Sequence, residues 1–219
     1  MKMIDRDYEI LREIERWRFC QGRHVNLFAH FQNQRACDRR LKLLSDAGYI
    51  ERKKVIYGVA GILYLTHKGK ILIGANKRPD KIRLDNVNHD IAVLDTAIFF
   101  MLKNNIALSA IKTEKQLHIA DGFSVRKHQP DFVYTQNQKT YCVEIELSQK
   151  SKQRLEENIR DNYTHYDFQI WVIPSSALKV RRYVQEYAVA YPNIQIIKLE
   201  EVQNYVKNYN STALKDTGR

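Results

Sequence analysis

Three cysteines, four prolines and eight glycines in 219 residues leave several protein classes without their raw material. Cys20, Cys37 and Cys142 are odd in number and far apart, which gives neither a disulfide framework nor zinc-ligand spacing; a reducing cytoplasm is the expected setting. No low-complexity tract and no internal repeat interrupts the chain. Apolar runs fall short of the roughly 20 residues that a membrane-spanning helix needs. The opening Met1-Lys2-Met3-Ile4-Asp5 runs into charge where a signal peptide requires an apolar stretch, so neither secretion nor membrane integration is expected.

What is plentiful is positive charge: 36 Lys+Arg against 25 Asp+Glu, a net +11. Such an excess favours a polyanionic partner. It is concentrated, because residues 1–78 hold 17 Lys+Arg and 8 Asp+Glu, a net +9, and the remainder only +2. The polar, Pro-interrupted Asn76-Lys77-Arg78-Pro79-Asp80 reads as a linker, which predicts domains over 1–78 and 79–207, with 208–219 as a fraying polar tail.

Ile10, Leu11, Ile14 and Trp17 recur at helical spacing, helices fit His24 to Phe31 and Asn33 to Ala47, and the last of these stops at Gly48. Two strands follow, Tyr49 to Ile56 and Ile62 to Leu65, around Gly58-Val59-Ala60-Gly61, and Thr66 caps a further short helix. Three helices before a β-hairpin is the order of a winged helix-turn-helix. Its third helix carries Gln34, Arg35, Asp38, Arg39 and Lys42 away from Leu41 and Leu44. Arg reads guanine and Gln reads adenine in a major groove, while Arg52, Lys53 and Lys54 in the hairpin suit phosphates.

The second segment alternates strands with helices, which predicts an α/β domain. A long helix spans Val87 to Asn104; a strand is expected over Ile106 to Ile111, then a helix capped by Thr113, and strands over Asp131 to Thr135 and Thr140 to Leu147. A helix from Ser148 to Tyr166, a buried strand Phe168 to Ile173, a helix Ser176 to Ala190 and a strand Ile194 to Leu199 complete it. Residues two apart on a strand face one side, so Glu144 and Glu146 project together, and a hairpin brings Asp131 towards them. Three carboxylates amid Val143, Ile145 and Leu147 call for a neutralising hard cation, with Mg²⁺ (or Mn²⁺) the expected one. Such an ion suits hydrolysis of a phosphodiester.

Two resemblances sharpen these expectations. Arg35 to Leu44, then Ala47-Gly48-Tyr49-Ile50, then Tyr64-Leu65-Thr66-His67-Lys68-Gly69 resemble the recognition helix, wing and post-wing turn of winged-helix proteins. Pro130-Asp131 with Glu144-Ile145-Glu146 thirteen residues on resembles the PD-(D/E)XK nuclease superfamily, whose restriction-endonuclease-like domain is a mixed sheet flanked by helices. That resemblance implies Glu114 as an upstream helical acid. Glu146 stands where the superfamily has its lysine, so either Lys150 or Lys152 reaches in from the next helix or Glu146 is itself a ligand or base.

The whole order, with Asn88-His89-Asp90-Ile91-Ala92-Val93-Leu94-Asp95 between the two parts, is similar to the replication-relaxation family and MobC-class plasmid relaxases. It implies a site-specific DNA nickase acting at an origin of transfer, with double-stranded DNA and relaxosome proteins as partners and a homodimer as an option. Asp131, Glu144, Glu146, Glu114 and Lys150 are the implied catalytic positions, and His89, Arg160 and Tyr163 are auxiliary candidates. Paired histidines of the His-hydrophobic-His kind are missing, which argues against a relaxase with a histidine-held metal. The competing expectation is a non-catalytic DNA-binding accessory factor or repressor with a degenerate nuclease-like domain.

Overall fold

The apolar stripe of the first helix organises the N-terminal segment. In the computed structural model, which describes residues 1–55, 60–75, 82–122, 128–148 and 151–216 (side chains of 210–216 excepted), the chain forms two compact units, Met1–Leu94 and Asp95–Arg219. The expected linker and the division after residue 78 lie outside the described residues. The first turns of the long helix belong to the first unit, because Val87 and Ile91 cluster with Phe19 and Ile62. Among the described residues no helix is long and apolar enough to cross a membrane.

In the first unit, α1 (Asp5–Arg16) buries Ile10, Leu11 and Ile14 completely. A two-residue strand β1 (Cys20–Gln21) follows, then α2 (Gly22–Phe28) and α3 (Gln34–Asp46). Strand β1 was not expected ahead of the hairpin. Two residues carry no periodic signal, and it exists only because Cys20 and Gln21 pair with Leu63 and Ile62. Strands β2 (Ile50–Lys53) and β3 (Ile62–Leu65) pair antiparallel, Ile50 opposite Leu65, giving a sheet in the order β1-β3-β2. The expected hairpin turn falls partly on residues 56–59, which are not described. Helix α3 starts where the Asn33 side chain accepts from the Ala36 N–H, at 2.9 Å. It ends at Gly48, whose φ of +76° supplies the left-handed reversal.

Helix α3 is tied to α1 through a buried ion pair. Asp7 is fully buried, caps the Ile4 N–H at 2.9 Å, and receives the Arg40 Nε at 2.7 Å, with an Arg40 Nη2 on its second oxygen. The forked guanidinium fixes the rotation of α3 about its axis as well as its position.

The second unit holds a mixed α/β architecture around a five-stranded sheet in the order β4-β5-β6-β7-β8. Its elements are α5 (Val87–Asn104), which begins in the first unit, β4 (Lys112–Thr113), α6 (Glu114–Ala120), β5 (Phe132–Gln136), β6 (Lys139–Ile145), α7 (Lys152–His165), β7 (Phe168–Ile173), α8 (Leu178–Ala188), β8 (Ile194–Lys198) and α9 (Leu199–Asp216); α4 (His67–Leu72) closes the first unit after β3. Strands β4, β5 and β6 run antiparallel, and β7 and β8 join β6 in parallel. On one sheet face Trp171 and Ile173 of β7 cluster with Leu155 and Ile159 of α7 and Val180 and Val184 of α8. The other is aromatic: Phe100 of α5 meets Phe132 and Tyr134, and Phe99 meets Tyr205 of α9.

Two expectations need correction. The strand over Ile106 to Ile111 is a single 3-10 turn, Leu108–Ala110. Asn105 at φ +53° reverses the chain after α5, and Ile106, Leu108 and Ile111 are all buried from that compact turn without a ladder. The segment from 208 is helical through Asp216, the continuation of a helix whose Val202 and Val206 are buried.

Gly69 of α4 offers a test of the first unit. Replacing a helical glycine with alanine ordinarily stabilises by about 1 kcal/mol. A Cβ on Gly69, however, would stand 2.1 Å from the Tyr49 carbonyl oxygen, which is backbone and cannot swing aside. Steric overlap wins, and Gly69→Ala is expected to destabilise by roughly 1–3 kcal/mol in urea unfolding followed by circular dichroism.

Candidate functional site

On the first unit, burial of Cys37, Leu41 and Leu44 turns the opposite side of α3 outward. Gln34, Arg35, Asp38, Arg39 and Lys42 are all exposed, as are Arg52, Lys53 and Lys54 on and after β2. Arg35, Arg39 and Lys42 are spaced four and three residues apart and so share one stripe. None of the three makes a hydrogen bond or ion pair among the described residues. Gln34 and Arg52 are placed differently: Asp38 Oδ1 accepts from the Gln34 Nε2 at 3.1 Å and lies 3.5 Å from Arg52 Nη2, which anchors the hairpin to the helix. His89, near the start of α5, lies 3.5 Å from Asp90 Oδ1.

On the second unit the strand register sets the acids. Thr113 pairs with Phe132 and Phe132 with Val143, so the next row across the sheet is Glu114, Asp131 and Glu144. Two bonds pin that row: the Glu114 N–H donates to the Asp131 carbonyl at 3.0 Å, and the Ile145 N–H donates to Asp131 Oδ2 at 2.7 Å. Thr113 caps α6 and so starts the helix that bears Glu114. Glu114 is half-exposed and lies 3.6 Å from His118 Nε2 one turn on.

Glu144 is 4% exposed on the face covered by α7. Among the described residues its Oε1 accepts two hydrogen bonds, one from Asn162 Nδ2 at 2.9 Å and one, shorter, from His128 Nε2. A carboxylate only accepts, so the histidine is read as the Nε2–H tautomer. Asn162 is completely buried, and its Oδ1 has no hydrogen-bond partner among the described residues. An acceptor buried without a donor costs about 1–3 kcal/mol, which fits a site better than a core. Glu146 faces the same side two residues on, is 2% exposed, and its N–H donates to Val172.

Of the expected site residues, Glu114, Asp131 and Glu144 are aligned by backbone register across the sheet, with Glu146 two residues beyond Glu144. Lys150 lies outside the described residues. Lys152, the alternative source of positive charge, is turned to α8: its Nζ donates to Glu186 at 3.3 Å and lies over the Tyr183 ring. Arg160 is exposed, and Tyr163 is 48% exposed with its ring edge-on to Tyr191. Among the described residues no group of three His, Cys, Asp or Glu side chains stands in metal-holding geometry. The donors in the row are carboxylate oxygens, the chemistry that a hard divalent cation takes.

His128 and Asn162 were not legible as site residues. For Asn162 a signal existed: Leu155, Asn158, Ile159 and Asn162 form the buried stripe of α7, with asparagine at two positions that core packing would fill with apolar side chains. Tyr166, at the end of α7, has its phenol pushed up to about 12, first by burial and then by Cys142, Asp161, Glu144 and Asp121. At neutral pH it is a protonated donor, a poor attacking group. Compared with known proteins, the chain matches no family model, no curated protein and no solved structure.

Cys142 lies one residue from Val143 in β6, buried, with its thiol raised by burial and by Glu144. Burial also raises the Cys20 thiol, and burial with Asp38 takes Cys37 up to about 12. A raised thiol is mostly protonated below that value and unreactive. The native chain is therefore expected to leave a thiol-disulfide dye unreacted at pH 8, and to react at all three cysteines once unfolded.

Proposed function

We propose that this chain binds double-stranded DNA through the exposed face of α3 and its hairpin, in the manner of a winged helix, and nicks one strand with the acids of the second unit. The observation that carries the reading is the alignment of Glu114 and Asp131, next to the paired ends of β4 and β5, with Glu144 of β6 across a mixed sheet, the order in which a PD-(D/E)XK nuclease would hold them. The uncompensated stripe of Arg35, Arg39 and Lys42 supports the DNA partner. The supposed target is an origin of transfer on a plasmid or mobile element, approached in the cytoplasm with relaxosome proteins.

Asp131 and Glu144, with Glu114 in the same row, would hold Mg²⁺ or Mn²⁺, which supplies Lewis acidity at the scissile phosphate and a more acidic attacking water. The protein's part is to fix these carboxylates: Asp131 by the Ile145 N–H, Glu144 by His128 and Asn162. Glu146 is the base candidate nearest in sequence, standing where the superfamily lysine would be.

A second reading, a DNA-binding accessory factor that does not cut, draws on Glu146 at the lysine position, on Lys152 turned to Glu186, and on the described side chains not converging on a three-ligand cluster. The full chain incubated with supercoiled, origin-bearing plasmid and Mg²⁺ or Mn²⁺ separates the two. Open circles from wild type, lost with Asp131→Asn and Glu144→Gln, are expected; binding without nicking under either metal would establish the accessory reading. Arg39→Ala is expected to weaken binding about tenfold and to lower the salt slope by about one, with the second unit's fold intact. Unchanged binding for both Arg39→Ala and Arg35→Ala would remove the α3 face from consideration.

A further inference from the structure

We propose that His128 and Asn162 are positioning residues that clamp Glu144 by a single oxygen, so that its other oxygen is presented to a divalent cation. The inference rests on the nuclease reading and adds to it two residues from outside the acid row.

Both contacts fall on Oε1, from opposite parts of the chain: His128 ahead of β5 and Asn162 on α7, 16 and 18 residues from Glu144. A purely structural role would be served by distributing donors over both oxygens, since each carboxylate oxygen accepts more than one bond. Two donors on one oxygen fix the carboxylate's rotation and leave Oε2 for a different partner. The second observation is independent of the acids. Asn162 is buried completely and its Oδ1 meets no donor among the described residues, although its Nδ2 is bonded to Glu144. Exchanging the amide's two ends does not help, because the carboxylate would then face an oxygen. The amide is thus oriented by Glu144 and leaves a buried acceptor beside it for a donor that a ligand brings. Residues that hold a ligating side chain in this way typically change metal affinity about 10–100-fold when removed.

The test uses the full chain and Mn²⁺ alone, with bound metal read from loss of the free-ion electron paramagnetic resonance signal. His128→Ala and Asn162→Ala are each expected to weaken Mn²⁺ binding at least about tenfold, and His128→Gln, whose amide still donates, to restore it to within about threefold of wild type. Raising Mn²⁺ to saturation should recover plasmid nicking by His128→Ala but not by Glu144→Gln, a split that loss of fold would not produce. His165→Ala, on an exposed position of α7, serves as the unaffected control. Should Asn162→Ala fail to fold, the His128 variants decide, since that side chain is 23% exposed. Mn²⁺ binding by wild type and undiminished in both alanine variants overturns the clamp and leaves the nuclease reading standing. No Mn²⁺ uptake by wild type overturns both.

Discussion

The antiparallel register of β5 on β6 is the constraint on which the second unit depends. It is set by a two-residue turn, Asn137-Gln138, with both φ values positive at 50° and 62°, between the paired Gln136 and Lys139. Such a turn has the twist of the strands it joins, and asparagine tolerates the left-handed region better than most residues. From that end the pairing runs to Phe132 opposite Val143, and so places Asp131 across from Glu144. A slip of one residue would send Glu144 and Glu146 to the aromatic face and Val143 and Ile145 to α7. Glu144, already buried, would then lose its donors His128 and Asn162 and face Phe99, Phe100 and Phe132 instead, and a buried charge stripped of its partners is strongly destabilising.

The two faces of this sheet are consequently different solvents. Against α5 and α9 it is dry and aromatic, with Tyr134 and Tyr141 stacked at 4.8 Å and Tyr141 on Phe168 at 4.9 Å. Against α7 it mixes the apolar cluster around Trp171 with a polar layer of Glu144, Glu146, Asn158, Asn162 and Gln169. Gln169 shows what a structural member of that layer looks like: its Nε2 donates to the Ile159 carbonyl at 3.1 Å and its Oε1 accepts from the Trp171 indole at 3.3 Å, so both ends are used. Asn162 differs: among the described residues its Oδ1 meets no donor, the contrast within one layer on which the proposed role of Asn162 rests.

Much of this was readable in the order of residues. Strong periodicity placed α5 and β7 at their observed bounds, and cap chemistry placed Thr66, Thr113 and Gly48. The face that Glu144 takes on β6, opposite to Val143 and Ile145, was also legible, since it needs only the period of two. What escaped were features that exist through distant partners. Strand β1 is two residues long and is made by β3; the 3-10 turn at Leu108 buries the same apolar residues that a strand would; Lys152 faces α8, a direction that helical spacing alone leaves open between the site and Tyr183. His128 precedes Asp131 by three residues, yet a single histidine has no spacing to read.

Neighbouring arginines on α3 show how about 100° of rotation separates a buried role from an exposed one. Arg40 points inward to Asp7, where a buried carboxylate requires a partner, and its loss would leave that charge uncompensated. Arg39, about 100° further round the helix, faces water with Arg35 and Lys42 and contributes nothing to the fold that the structure describes. The two roles are linked, because the Arg40 fork fixes the rotation of α3 and thereby which side chains look outward. In the proposed reading this orientation is what gives the acids a substrate. In that reading a row of carboxylates repels a phosphate backbone, and capture of the DNA falls to the segment that carries a net +9.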